Sequence, residues 1–153
     1  MRITVKSRWA LLKKYLDEPE KFKAFVEESP LISINDSPSE LLVEMLGFED
    51  NLQNVHTQIF IDVEWDTPAA IQSEQAREIV QFADQKAAEG YEKIYVHCTM
   101  GISRSGAIGE FLAARYGDWD FNEAHPEICP NLRVKRLLEE QAKILLFERS
   151  QKT

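Results

Sequence analysis

The stretch from Ile94 to Ile108, Ile-Tyr-Val-His-Cys-Thr-Met-Gly-Ile-Ser-Arg-Ser-Gly-Ala-Ile, constrains the fold of this chain more than any other. Ile94-Tyr95-Val96 is an apolar run that suits a buried strand, and the small and apolar residues after Arg104 suit a packed helix. A short loop holding Gly101 joins them. A strand that passes to a helix through such a loop turns the helix's unpaired N–H groups into the bend, and that is how a backbone cradles phosphate.

The residue types in the loop fit phosphoryl chemistry one by one. A thiol attacks as its thiolate, and a helix N-terminus beneath Cys98, with its positive dipole end, favours that ion. The same N–H groups can bind phosphoryl oxygens. Gly101 lets the backbone turn inward without a Cβ clash. Arg104, six positions after Cys98 (104 − 98 = 6), offers a planar fork to two oxygens at once, which lysine cannot reproduce. Ser105 can give its hydroxyl proton to the sulfur and ease its departure, and His97 is positioned to orient the loop from behind.

His97-Cys98-Thr99-Met100-Gly101-Ile102-Ser103-Arg104-Ser105 resembles the signature loop of the cysteine-dependent protein tyrosine phosphatases, and Gly101 to Ser105 is most similar to the dual-specificity branch. The resemblance spans residues 31 to 148, strongly at the loop and loosely elsewhere. It implies a shallow-cleft α/β phosphatase that works through a phosphocysteine intermediate without a metal or cofactor. In it Cys98, Arg104 and Ser105 are catalytic, and Thr99, Met100, Gly101, Ile102 and Ser103 bind the phosphate with His97 behind them.

A chain of 153 residues fits one domain, 1–153, large enough to bury a sizeable core. No apolar run approaches the ~20 residues of a membrane helix, and Met1 to Lys14 is too charged for a signal peptide, so a cytoplasmic protein is expected. The net charge of −8 argues against nucleic acid and anionic membrane surfaces as partners; the resemblance implies a phosphorylated protein or peptide as substrate, and a monomer is expected. Cys98 and Cys129 belong to no CxxC pair, and a disulfide between them would disable the nucleophile, so the compartment is reducing and Cys129 is structural. Three histidines without paired spacing give no metal signature.

Elsewhere the pattern alternates strands and helices. Ile3 and Val5 mark a first strand, Trp9, Leu12 and Leu16 a helix with a core stripe, and Phe22, Phe25 and Val26 a second helix. Leu31-Ile32-Ser33-Ile34 reads as a buried strand with an Asn35-Asp36 turn able to line the cleft. Ser37-Pro38-Ser39-Glu40 reads as a capping box opening a helix that stops at Gly47. Val55 to Val63 alternates as one long strand, with His56 as a surface or satisfied histidine. A helix runs from Ser73 to Gly90, another follows the loop to Gly117, and Pro130-Asn131 caps the last, on which Arg133, Lys135 and Arg136 form a solvated face. Asp118 to Pro130 shows no period. Strands near 2, 31, 55 and 93 imply a twisted α/β sheet of four to five strands with helices on both faces.

A phosphotyrosine leaving group needs a proton, and Asp62, Glu64 and Asp66 are the available acids. Asp66 lies 98 − 66 = 32 residues before Cys98, close to the interval that dual-specificity phosphatases use, and Trp65 would desolvate it. Asp66 is therefore favoured, with Asp62 the alternative. Thr99, Met100, Ile102 and Ser103 carry none of the extra charge that the resemblance implies for phosphoinositide and RNA 5′-phosphate members of the superfamily, which points to phosphotyrosine, with or without phosphoserine and phosphothreonine. A noncatalytic phosphate-binding module is the rival reading. A sulfurtransferase or arsenate reductase is a weaker one, because Arg104-Ser105 and an upstream acid have no role in persulfide chemistry.

Overall fold

The computed structural model describes residues 1–49 and 52–152. In chain order the elements are β1 (Arg2–Ser7), α1 (Arg8–Tyr15), α2 (Pro19–Glu28), β2 (Leu31–Asn35), a 3₁₀ turn (Pro38–Glu40), α3 (Leu42–Met45), β3 (Val55–Ile59), α4 (Ser73–Ala88), β4 (Lys93–Cys98), α5 (Arg104–Tyr116), α6 (Phe121–Ala124) and α7 (Leu132–Gln151). The strands pair in parallel in the order β1-β4-β2-β3.

Side chains alternate across the sheet and feed two cores. Ile3, Val5, Ile32, Ile34, Ile94, Val96 and Cys98 face the larger one, with Ala76, Ile79 and Val80 of α4, Ile108 and Leu112 of α5, and Val134 and Leu138 of α7. Leu31 and Tyr95 face the smaller one, with Leu11, Leu12, Tyr15, Phe22 and Val26. Helices thus cover both faces. No helix among the described residues is long and apolar enough to cross a membrane.

Three local expectations are corrected. Trp9 and Leu16 are exposed, at 70% and 55%, because the buried stripe of α1 is Leu11, Leu12 and Tyr15 and the other two lie on its outer flank. The strand expected to run to Val63 ends at Ile59. Its strand partner among the described residues, β2, ends at Asn35, so after the Phe60 N–H bond to the Asn35 carbonyl (3.1 Å) the ladder stops and the Ile61 N–H turns to the Ala69 carbonyl, at 2.9 Å. Ser37 caps nothing, since its segment is a 3₁₀ turn. The short α3 starts instead where the Asn35 Oδ1 accepts from the Leu42 N–H, at 3.0 Å.

Two features seat the site. On α5, a Cβ added at Gly109 would lie 2.7 Å from both the Val5 and the Phe121 side chains, so glycine lets the helix press onto β1. Asn131 caps α7 by accepting from the Val134 N–H at 3.0 Å. The aperiodic Asp118–Pro130 segment contains α6, anchored by the buried Phe121. The same segment reaches the outer edge of β1. The Ile3 N–H donates to the Asp118 carboxylate at 2.9 Å, and the Val5 N–H donates to the His125 Nε2 at 3.1 Å. The His125 Nδ1 donates to the Phe121 carbonyl, at 2.9 Å.

Candidate active site

The loop 99–103 joins the end of β4 to the start of α5. Gly101 has φ +72, and a Cβ there would come within 2.8 Å of the backbone of Lys6 and Ser7, so only glycine lets the loop lie on the β1–α1 junction. Neighbouring N–H groups hold the loop carbonyls outward: Arg8 donates to the Thr99 carbonyl at 3.2 Å, Cys129 to Ile102 at 3.0 Å and Asn131 to Ser103 at 3.0 Å. The N–H groups of residues 99 to 106 find no acceptor among the described residues. With its carbonyls tied back, such a loop offers its N–H groups to an anion.

Cys98 is 2% exposed, and its Sγ lies 3.0 Å from the Ser105 Oγ. Arg104 is 3% exposed. Its Nη1 donates to the Asp36 Oδ1 and to the Phe60 carbonyl, both at 2.7 Å, and its Nη2 donates to the Thr99 Oγ1 at 3.1 Å. The buried Nε has no partner among the described residues. Partial burial alone would push the Asp36 carboxyl up, but the Thr99 hydroxyl and the Arg104 guanidinium, helped by the charge of Arg8, hold it below its ordinary value. The Asn35-Asp36 turn therefore lines the site, with Asp36 fixing the plane of the arginine fork.

Behind the loop runs a polar relay that the sequence leaves hidden. His97 is fully buried. Its Nδ1 faces the Cys98 carbonyl at 3.3 Å and so carries the proton, which leaves the Nε2 to accept from the Ser33 hydroxyl at 2.6 Å. Asn35 donates to the Ser33 carbonyl at 3.0 Å. Ser33 sits in a run that reads as apolar strand, and only the register that pairs it with His97 reveals its role. Burial, opposed by the bond to the Cys98 carbonyl and reinforced by the charges of Arg8 and Arg104, pushes the His97 imidazole down to about 4 from its ordinary 6.5.

The unfolded chain protonates this residue near pH 6.5 while the folded one does not. Its contribution is therefore complete above that pH and is lost as pH falls towards 4. Between pH 7 and pH 5 we expect about 2 kcal/mol of stability to disappear through His97, seen as a falling urea midpoint. In the folded protein its imidazole resonances should stay unchanged through that range. A ring that titrates above pH 6 would contradict the assignment.

The carboxylates after β3 separate. Asp62 meets the loop: its Oδ1 accepts from the Ser103 hydroxyl and from the Asn131 side-chain amide, each at 2.8 Å. The Glu64 carboxylate accepts from the Leu132 N–H at 3.3 Å. Asp66 is 86% exposed and turns to Arg133, at 3.3 Å, and Trp65 is itself 66% exposed, so it does not desolvate its neighbour. Arg133 is not on a solvated face: it is buried and its Nε and Nη2 hold the Ile71 carbonyl, at 3.1 and 2.9 Å. His56 is satisfied, stacking on Phe82 and bonding to Gln58. Cys129 is exposed, with its backbone serving the loop.

No protein-family model and no curated protein matches the sequence. Solved structures do match. The PTP-2 phosphatase of Cydia pomonella is 15% identical with a TM-score of 0.57, over 92% of this chain and 85% of that one. The human tyrosine phosphatase-like serine/threonine/tyrosine-interacting protein is 19% identical with a TM-score of 0.56, over 94% and 93%. Tk-PTP in its active form is 20% identical with a TM-score of 0.52, over 82% and 86%.

Proposed function

We propose that this chain, whose fold is that of the protein tyrosine phosphatases, hydrolyses phosphate monoesters on proteins or peptides, phosphotyrosine foremost, through a phosphocysteine intermediate. The observation that carries the reading is the Arg104 Nε, buried and without a partner among the described residues in a guanidinium whose other nitrogens are fixed, beside a loop whose N–H groups likewise find no acceptor among them. A buried donor of this kind is costly unless it meets an acceptor, and a phosphoryl oxygen supplies one.

In the first step the Cys98 thiolate forms an S–P bond as the bond from phosphorus to the leaving oxygen breaks. Loop N–H groups and Arg104 stabilise the equatorial oxygens. The leaving oxygen takes a proton from a carboxylic acid. In the second step a water oxygen attacks phosphorus, the same carboxylate takes its proton, and the S–P bond breaks to release inorganic phosphate. Ser105, 3.0 Å from the sulfur, donates to the departing thiolate. We assign the protein to the reducing cytoplasm, because this chemistry needs Cys98 free, and both cysteines are.

For the acid, contact favours Asp62 over Asp66: Asp62 touches Ser103 of the loop, while Asp66 points to Arg133. Steady-state hydrolysis of two aryl phosphates tests the assignment. Asp62→Asn should lower kcat on phenyl phosphate by about 10²–10³-fold and on p-nitrophenyl phosphate, whose leaving group needs little protonation, by far less. Asp66→Asn should stay within about threefold of wild type on both. A larger loss in Asp66→Asn would return the role to Asp66. Failure of the wild type to turn over either ester would reduce the protein to a phosphate-binding module.

A further inference from the structure

Charge around the loop has one sign. The segment after β3 exposes Asp62, Glu64 and Asp66, and the segment after β2 exposes Asp36 and Glu40. The loop side chains between them, Thr99, Met100, Ile102 and Ser103, carry no charge. Three of the nearby cations are already engaged. Arg104 is buried in the loop, and Arg133 is held by Ile71 and Asp66. Arg8 bonds to Asn35 and Met45 and lies in the field of Glu40 and Asp36. Lys6 lines a groove with Lys14 and Tyr15. A single phosphoryl group is served by the Arg104 Nε and the loop N–H groups, but on the side of the segments after β2 and β3 a second anion meets carboxylates.

Large apolar side chains share this rim. Met100 is 68% exposed on the loop itself, Trp9 is 70% exposed next to the Arg8 that bonds to Thr99, and Trp65 is 66% exposed. Trp65 lies between Glu64 and Asp66 in sequence; each of these acids commits one carboxylate oxygen, to the Leu132 N–H and to Arg133, and keeps the other without a partner among the described residues, so the exposed indole and these oxygens suit a lysine or arginine side chain: the ring face attracts the cation, and the carboxylates pair with it. Such a patch repels acidic sequences and polyphosphorylated headgroups.

We infer that the substrate is a phosphotyrosine flanked by basic residues, its lysine or arginine docking on Glu64-Trp65-Asp66 while the phosphoryl group sits in the Cys98 loop; this rests on the phosphatase reading above. Two phosphotyrosine peptides that differ only in lysine or glutamate flanks test it, with p-nitrophenyl phosphate as the flank-free reference. At ~0.01 M ionic strength, where charges act over ~30 Å, kcat/KM should favour the basic peptide by about tenfold. The preference should shrink as salt rises to ~1 M, where the range is ~3 Å.

The double variant Glu64→Gln, Trp65→Ala should turn over p-nitrophenyl phosphate as wild type does, yet keep only about a twofold preference between the peptides. Equal rates on both peptides in the wild type would overturn the inference, as would a preference unchanged in the double variant. Faster turnover of phosphatidylinositol 5-phosphate in phosphatidylcholine vesicles than of either peptide would do the same. No turnover of p-nitrophenyl phosphate by the wild type overturns the phosphatase reading itself, and the inference with it.

Discussion

Cys98→Ser is expected to abolish hydrolysis of aryl phosphates, by about 10⁴-fold or more, while inorganic phosphate still binds within about threefold of its wild-type affinity. The two effects separate because different groups carry them. The serine hydroxyl keeps its proton at neutral pH and attacks phosphorus poorly. In the proposed scheme the oxygens of the phosphate meet the loop N–H groups and Arg104, none of which the substitution touches. Steady-state kinetics beside calorimetric titration with phosphate measures both quantities in one preparation. Turnover near the wild-type rate in Cys98→Ser would end the phosphocysteine scheme. Loss of phosphate binding alongside turnover would show that the variant had disturbed the loop.

Arg104→Lys is expected to cost about 10²–10³-fold in kcat/KM although the charge is conserved. The guanidinium makes three bonds and keeps one donor. Its Nη1 holds Asp36 and the Phe60 carbonyl, its Nη2 holds Thr99, and its Nε is left for the substrate. A lysine ammonium on a flexible stem can satisfy Asp36, and with that bond made it is drawn away from the phosphoryl group. The variant should lose inhibition by vanadate, which becomes a trigonal-bipyramidal oxyanion when a thiolate adds to it, at least as much as it loses kcat/KM. If it kept within about tenfold of wild-type kcat/KM, the fixed fork would not be what the site depends on.

What the sequence reveals and what it hides follow from how local each feature is. Ile94 to Ile108 can be read because strand, turn and helix signals are consecutive and each residue has a role within a few positions. The four strands can be read for the same reason. Trp9 and Leu16 mislead because helical spacing specifies a face without saying which face meets the sheet, and the choice goes to Leu11, Leu12 and Tyr15. The strand at Val55 ends early because a strand is only as long as its neighbour, and Asn35 lies in another segment. Which of Asp62 and Asp66 touches the loop has the same character. A sequence interval measures chain length, whereas contact with the loop depends on Ser103 and Asn131, which meet Asp62 across separations of 41 and 69 positions. Ser33, Asn35 and His97 behave likewise, each unremarkable alone and joined only by register.

A parallel sheet that begins its order with β1 has a strand whose outer N–H groups would ordinarily stand ready to pair with another chain. Here two of them are already taken by side chains from a segment that follows α5: Ile3 by Asp118 and Val5 by His125. The acceptors come from a loop and cannot continue a ladder, so the edge is closed by chemistry that offers no template for a further strand. Residues that look remote from phosphate chemistry thus occupy two donors that a further strand would need. Replacing either acceptor would expose that side of the molecule to self-association before it altered the loop around Cys98.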